Sequence, residues 1–150
     1  MASEFDLQQR LEALIPKTLD DIVRFRRNHM TIRLATDMEI MELHHEIVPD
    51  RAPSMIINDW RLVAFVMSDD GFQRVDISLL GDKDTGGVRI TSPVRMLDLD
   101  RQLVITQSGT LYGLGKAGQD EPPFDHLVMI CAATHSWGFG ALFGIPHFFY

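Results

Sequence analysis

Cysteine is almost missing from this chain of 150 residues: Cys131 stands alone. A single thiol excludes an intramolecular disulfide framework and a multi-cysteine zinc site. The opening Met-Ala-Ser-Glu-Phe-Asp has no basic stretch followed by an apolar run, so it does not read as a signal peptide. With both features absent, a reducing cytoplasm is the expected compartment. Basic residues are scarce as well. There are 14 Lys and Arg against 21 Asp and Glu, for a formal net charge of -7. The excess is local, because residues 36–70 carry eight acids and two bases. Non-specific nucleic-acid binding needs phosphate-neutralising cations, so nucleic acid is not an expected partner. The acid is also too sparse for a DNA mimic and reads as a solvated surface.

Catalytic signatures are missing too. No serine sits in a Gly-x-Ser-x-Gly elbow, no Gly-x-Gly-x-x-Gly follows a strand, and no His-Glu-x-x-His pattern occurs. No internal repeat or low-complexity tract is present. Hydrophobic content of 45% and charged content of 23% are those of a globular domain, and the length suits one domain spanning residues 1–150.

What the chain does have is a change of period along its length. Ser3 can cap a helix with Phe5, Leu7, Leu11, Leu14 and Ile15 apolar, ended by Pro16. Thr18 with Asp21 resembles a capping box before a helix from Leu19 to about Asn28, with Leu19, Ile22, Val23 and Phe25 inward. Met30–Ala35 fits strand or helix. Thr36 with Glu39 is a better capping box and opens a helix running through Met38, Ile40, Met41, Leu43 and Ile47.

Arg61–Met67 is then a near-continuous apolar run of strand length. Asp70-Gly71 is a hairpin signal, followed by the alternation of Val75, Ile77 and Leu79 with polar neighbours. Gly81–Gly87 reads as a loop. Val88–Leu97 reads as strand interrupted at Pro93, and Ser108-Gly109 is a further turn. Asp125 can cap a last helix, apolar all round from Leu127 to Ala133 and ended by Gly138. The expected fold is α+β: N-terminal helices, a five- to six-stranded antiparallel meander, and a buried C-terminal helix with an aromatic tail.

Five places invite a functional reading. Arg24, Arg26 and Arg27, with Arg33 beyond, could contact an anion or simply pair with Asp20 and Asp21. His44-His45-Glu46 is the densest ligand-type cluster, and Glu42, His45 and Glu46 would share a helical face. However, the two histidines are adjacent rather than four apart, so no metal is expected. Cys131 and His135 stand four apart, yet the apolar neighbours of Cys131 favour an inert core thiol. Gly81–Gly87 echoes a calcium loop, but Pro93 occupies the twelfth position from Asp82, where a glutamate is required.

The fifth place is the C-terminal segment. From His126 to Tyr150 there is no charged residue, and the segment carries Trp137, Phe139, Phe143, Phe148, Phe149 and Tyr150. Its glycines, His135 and the missing basic flank argue against a membrane helix. Core cover and an exposed aromatic interface are the two remaining readings.

The expected function is therefore that of a small acidic macromolecule-binding protein: an inhibitor, immunity-type protein or adaptor. It would act on another protein, or on a second copy of itself as a homo-oligomer, with no membrane partner and no cofactor. The expected binding residues are Trp137, Phe139, Phe143, Phe148, Phe149 and Tyr150, with Arg24, Arg26 and Arg27. The alternative is a small metal-dependent hydrolase built on His44, His45 and Glu46.

Overall fold

Six strands follow one another as a meander: β1 (Met30–Leu34), β2 (Ile56–Asp69), β3 (Phe72–Lys83), β4 (Val88–Asp98), β5 (Leu103–Thr106) and β6 (Leu111–Leu114). The computed structural model describes residues 15–147, together with Glu4, Asp6, Leu7 and Gln9, which are helical. Successive strands are antiparallel. The start of β2 also pairs in parallel with β6, through Ile56 with Gly113 and Ile57 with Leu114. This pairing closes β2 to β6 into a small barrel. β1 lies outside it, paired with Val63–Met67 of β2.

Successive side chains of a strand point to opposite faces, and β2 has cover on both. Leu62, Ala64 and Val66 join Ile77, Leu79, Val94, Val104 and Tyr112 inside the barrel. Val63 and Phe65 point outward and join Leu19, Ile22, Leu127, Ile130, Cys131 and Phe143. A strand covered on both faces must be apolar at every position, which is why Arg61–Met67 reads as a run and not as an alternation.

The turns follow their residues. Asp70 and Gly71 both have positive φ, 45° and 80°, as a two-residue hairpin turn requires. Ser108-Gly109 likewise turns β5 into β6, with the Gly109 N–H donating to the Thr106 carbonyl at 2.8 Å. β4 continues through Pro93, with the register shifting on either side of it. Within the shift, the Leu79 N–H donates to Thr91 Oγ1 at 3.0 Å in place of a ladder bond. The expected loop at Gly81 begins later, because Gly81, Asp82 and Lys83 belong to β3. Gly81 is there for closeness: a Cβ on it would lie 2.7 Å from the Asn58 carbonyl oxygen of β2.

Among the described residues two helices accompany the sheet. α1 (Asp37–Leu43) has the Thr36–Glu39 capping box in full. It ends four residues before Ile47, because the chain there turns extended and pairs with β4. The His45 N–H reaches the Leu97 carbonyl at 2.8 Å, and the Ile47 N–H reaches Asp98 Oδ2 at 2.9 Å. α2 (Phe124–Ser136) buries His126, Leu127, Ile130, Cys131 and Thr134, while Val128, Met129, Ala132 and Ala133 are only half-buried. It therefore covers the sheet with one face and is not enclosed all round.

The expected helix from Leu19 to Asn28 does not form. Thr18 and Asp21 do cap each other, and Leu19, Ile22 and Val23 are buried. Beyond them, tertiary bonds take the place of a helical ladder. The N–H groups of Arg24 and Phe25 both donate to the Phe143 carbonyl, at 2.8 and 2.9 Å. Arg27 donates to the carbonyls of Asp20 and Val23, and Arg26 has a left-handed φ of 54°. Phe25, expected inward, is 63% exposed. Ser3, Phe5, Leu11 and Leu14 of the first expected helix lie outside the described residues. The ambiguous stretch Met30–Ala35 resolves into β1.

Two outcomes follow. Gly71→Val forces a β-branched residue to positive φ and should cost about 1–3 kcal/mol in denaturant unfolding; an unchanged midpoint would contradict the hairpin. Arg33 forms a two-pronged ion pair with Glu39 at 2.7 and 3.0 Å and holds its carboxyl down at about 2. A lowered carboxyl contributes stability above its unfolded value of about 4.3 and loses it as pH falls toward the folded one. Thermal melts between pH 5 and 2 should therefore fall more steeply for the natural chain than for Glu39→Gln.

Candidate functional site

The C-terminal end of α2 brings the aromatic residues onto the sheet. Trp137 closes the helix, and Gly138, at a φ of 94°, turns the chain back. A short 3-10 turn, Ala141–Phe143, then returns to the core. The return is fixed by His135, whose Nε2 lies 2.9 Å from the Ile145 carbonyl. Trp137 meets Phe65 of β2 edge-on, with ring centroids 5.6 Å apart. Phe139 bridges Trp137 and Phe143 at 6.0 and 6.1 Å.

Burial divides these rings into two groups. Phe143 and Ile145 are core, Phe139 is half-buried, and Trp137 remains 46% exposed. Between Trp137, Phe139 and the strands is a cleft of about 280 Å³, floored by Phe65 and Met67 and walled by Pro93. Asp76, Ser78 and Ser92 provide its polar side. The segment is thus partly core cover and partly exposed aromatic surface. Its extended return is not the strand that core cover would have required. Among the described residues no helix is long and apolar enough to cross a membrane. Phe148, Phe149 and Tyr150 lie outside the described residues.

The arginines do not line this cleft. Arg27 pairs with Asp20, and the Arg24 Nε donates to the Asp21 carbonyl at 3.2 Å. Both line a separate, open cavity of about 650 Å³ together with Asp20 and Asp21. Lys17, Arg24 and Arg27 are mixed there with Asp20 and Asp21, unlike a concentrated anion site.

His44, His45 and Glu46 do share a cavity of about 720 Å³ with Asp98, Asp100 and Arg101. The helical face of Glu42, His45 and Glu46 is absent because α1 ends at Leu43. Ligand atoms of His44, Asp98 and Asp100 do lie within 4.8 Å of one another. Asp98, however, is already engaged: it accepts from the N–H groups of Ile47 and Arg101 and from the Arg101 guanidinium, which also pairs with Glu46. The Ile47 N–H above all holds the Asp98 carboxyl below the usual range. This cluster fastens a turn.

Cys131 is fully buried, and burial pushes its thiol up to about 12. His135 is turned to the Ile145 carbonyl, so the pair is core and cap and not a nucleophilic dyad.

One cluster has no counterpart in the sequence reading. Asp59 sits in the bulge of β2 with a φ of 49° and pairs with Arg61 at 3.2 Å. Asp82 is on β3. His126, in the first turn of α2, is completely buried, and its Nε2 lies 2.8 Å from Asp82 Oδ1. Ligand atoms of all three residues are within 4.8 Å of one another. Nδ1 of His126 has no hydrogen-bond partner among the described residues. An unsatisfied buried polar atom costs about 1–3 kcal/mol, so its retention needs an explanation. No spacing along the chain could reveal this group, since its members come from three distant elements.

Comparison with known proteins finds no matching family model and no significant match to a curated protein or a solved structure. A direct check of the site chemistry is available at Cys131. Folded protein at pH 8 should show essentially no reaction with a thiol reagent such as iodoacetamide, and unfolding should release one reactive thiol. Rapid labelling of the native chain would contradict the burial.

Proposed function

We propose that this chain is a protein-binding module, an inhibitor or adaptor, that captures one apolar side chain of a basic protein segment in the cleft beside Trp137 and Phe139. The observation that carries this reading is a half-exposed tryptophan standing over an apolar cleft. Large aromatic rings at such clefts are typical anchors of protein interfaces. At about 280 Å³ the cleft is smaller than the usual range for small-molecule sites, about 300–1,000 Å³, and suits a side chain. Charge selects the partner. Asp76 lines the cleft but is paired with Arg74 at 3.1 Å, so the selecting charge is that of the whole chain, -7: a segment bearing Lys or Arg beside its apolar anchor is attracted and an acidic one repelled. The lone, buried Cys131 suits a reducing cytoplasm. Phe143 supports the cleft from the core side. The reading assigns no binding role to Arg24, Arg26 or Arg27.

Selection from a random peptide library displayed on phage tests this directly. Enriched peptides should share an aromatic or aliphatic anchor flanked by basic residues, and their binding should change Trp137 fluorescence. Trp137→Ala should weaken binding by about 2 kcal/mol or more, as loss of an interface anchor does. Phe139→Ala should weaken it as well. Peptides without an anchor, or binding indifferent to Trp137, would overturn the reading. Self-association abolished by Trp137→Ala would replace the foreign partner with a second copy of this chain.

A further inference from the structure

We propose that Asp59, Asp82 and His126 form a binding site for a divalent transition-metal ion of the zinc type. The donor set fits such an ion, since imidazole favours zinc, copper, iron and nickel, while carboxylates complete many zinc sites. The imidazole of His126 is 0% exposed and is directed at the carboxylates, with Nε2 2.8 Å from Asp82 Oδ1. The side chains of Asp59 and Asp82 are 41% and 47% exposed, so the site is dry on the histidine side and open to solvent on the carboxylate side. Three protein ligands with one open position is the pattern of zinc sites that bind a water or a substrate atom.

The local charge also points to a cation. Asp59 and Asp82 converge on one place, and among the described residues Arg61 forms its ion pair with Asp59 and not with Asp82. Among the described residues Asp82 forms its ion pair with an imidazole alone, so the local charge favours a divalent cation. The His126–Asp82 pair needs little movement, while Asp59, whose ligand atom lies within 4.8 Å of the other two, would close in on them. Two atoms each about 2.0–2.1 Å from a tetrahedral zinc lie roughly 3.3 Å apart, so the His126–Asp82 pair would open by about half an ångström. The proton on Nε2 would then move to Nδ1 or leave to solvent. The His44, Asp98 and Asp100 cluster lacks this freedom, because Asp98 is already saturated by Ile47 and Arg101. The expectation of no metal rested on spacing along the chain, and that criterion does not see ligands from β2, β3 and α2. The inference is independent of the cleft at Trp137.

The test uses the full chain, freed of metal by a chelator and titrated with zinc in a calorimeter, with magnesium and calcium as parallel arms. One zinc per chain should bind and raise the melting temperature. Asp59→Asn and Asp82→Asn, both partly exposed and checked for folding by circular dichroism, should each weaken zinc by at least about tenfold. Cobalt in place of zinc should give a visible absorption band, and the ring-nitrogen NMR signal of His126 should shift on zinc binding. Absence of zinc binding would overturn the proposal. So would binding that survives both substitutions, a His126 signal that does not move, or a site that takes only magnesium or calcium.

Discussion

β2 is buried on both faces, and the other elements are arranged by what covers them. Its inner residues, Leu62, Ala64 and Val66, require a closed barrel, and the pairing of Ile56 and Ile57 with β6 provides the closure. Its outer residues, Val63 and Phe65, require a second layer, which α2, the returning segment at Phe143 and the chain around Leu19–Val23 supply together. Closure also removes the open sheet edges of β2 and β6 where they pair, which would otherwise invite association with other strands. The third apolar cluster is smaller. Ile47, Leu103 and Leu111 sit under the extended chain after α1, where Asp98 fastens the backbone of Ile47.

Arg61 shows how the polar atoms of this arrangement are satisfied. It is the one basic residue in the apolar run of β2, and its side chain is 7% exposed. Its guanidinium donates to the carbonyls of Asp120 and Gln119 and pairs with Asp59. A buried guanidinium is tolerable only when its donors are occupied, and here they hold the segment before α2 against the bulge of β2. The same bulge carries Asp59, and the same segment leads to His126. The geometry of that three-residue cluster thus depends on Arg61 as well as on its own members.

The two functional readings use different surfaces of the fold. The cleft lies where the outer layer ends, at the last turn of α2, and is apolar because β2 and β4 continue beyond the cover that α2 provides. The cluster of Asp59, Asp82 and His126 lies at the first turn of the same helix and is polar because a bulge and a fully buried histidine meet there. One helix therefore sets both: its first turn meets β2 and β3 at Asp59 and Asp82, and its C-terminal end meets other positions of the same strands, with β4, at the cleft.

Local chemistry was legible in the sequence wherever a few adjacent residues decide it. The Thr36–Glu39 capping box, the Asp70-Gly71 turn, the glycine stop at Gly138 and the doubly buried run at Arg61–Met67 all depend on spacing along the chain or on one residue's conformational range. The uncharged C-terminus also announced that the segment needs cover, which Phe143 and Ile145 receive from the core, although not which of its residues would be buried and which would stay exposed. Where backbone groups had distant partners, the same reasoning failed. Phe143 drew the N–H groups of Arg24 and Phe25 out of a helix, and Leu97 and Asp98 ended α1 early by pairing with His45 and Ile47. Gly81 looked like a turn former and proved to be a point of contact between β2 and β3. Only the tertiary structure could decide that Trp137 stands over a cleft, and that Asp59, Asp82 and His126 meet. A side-chain cluster is a property of strand register and helix placement, and neither is written in the spacing of its members.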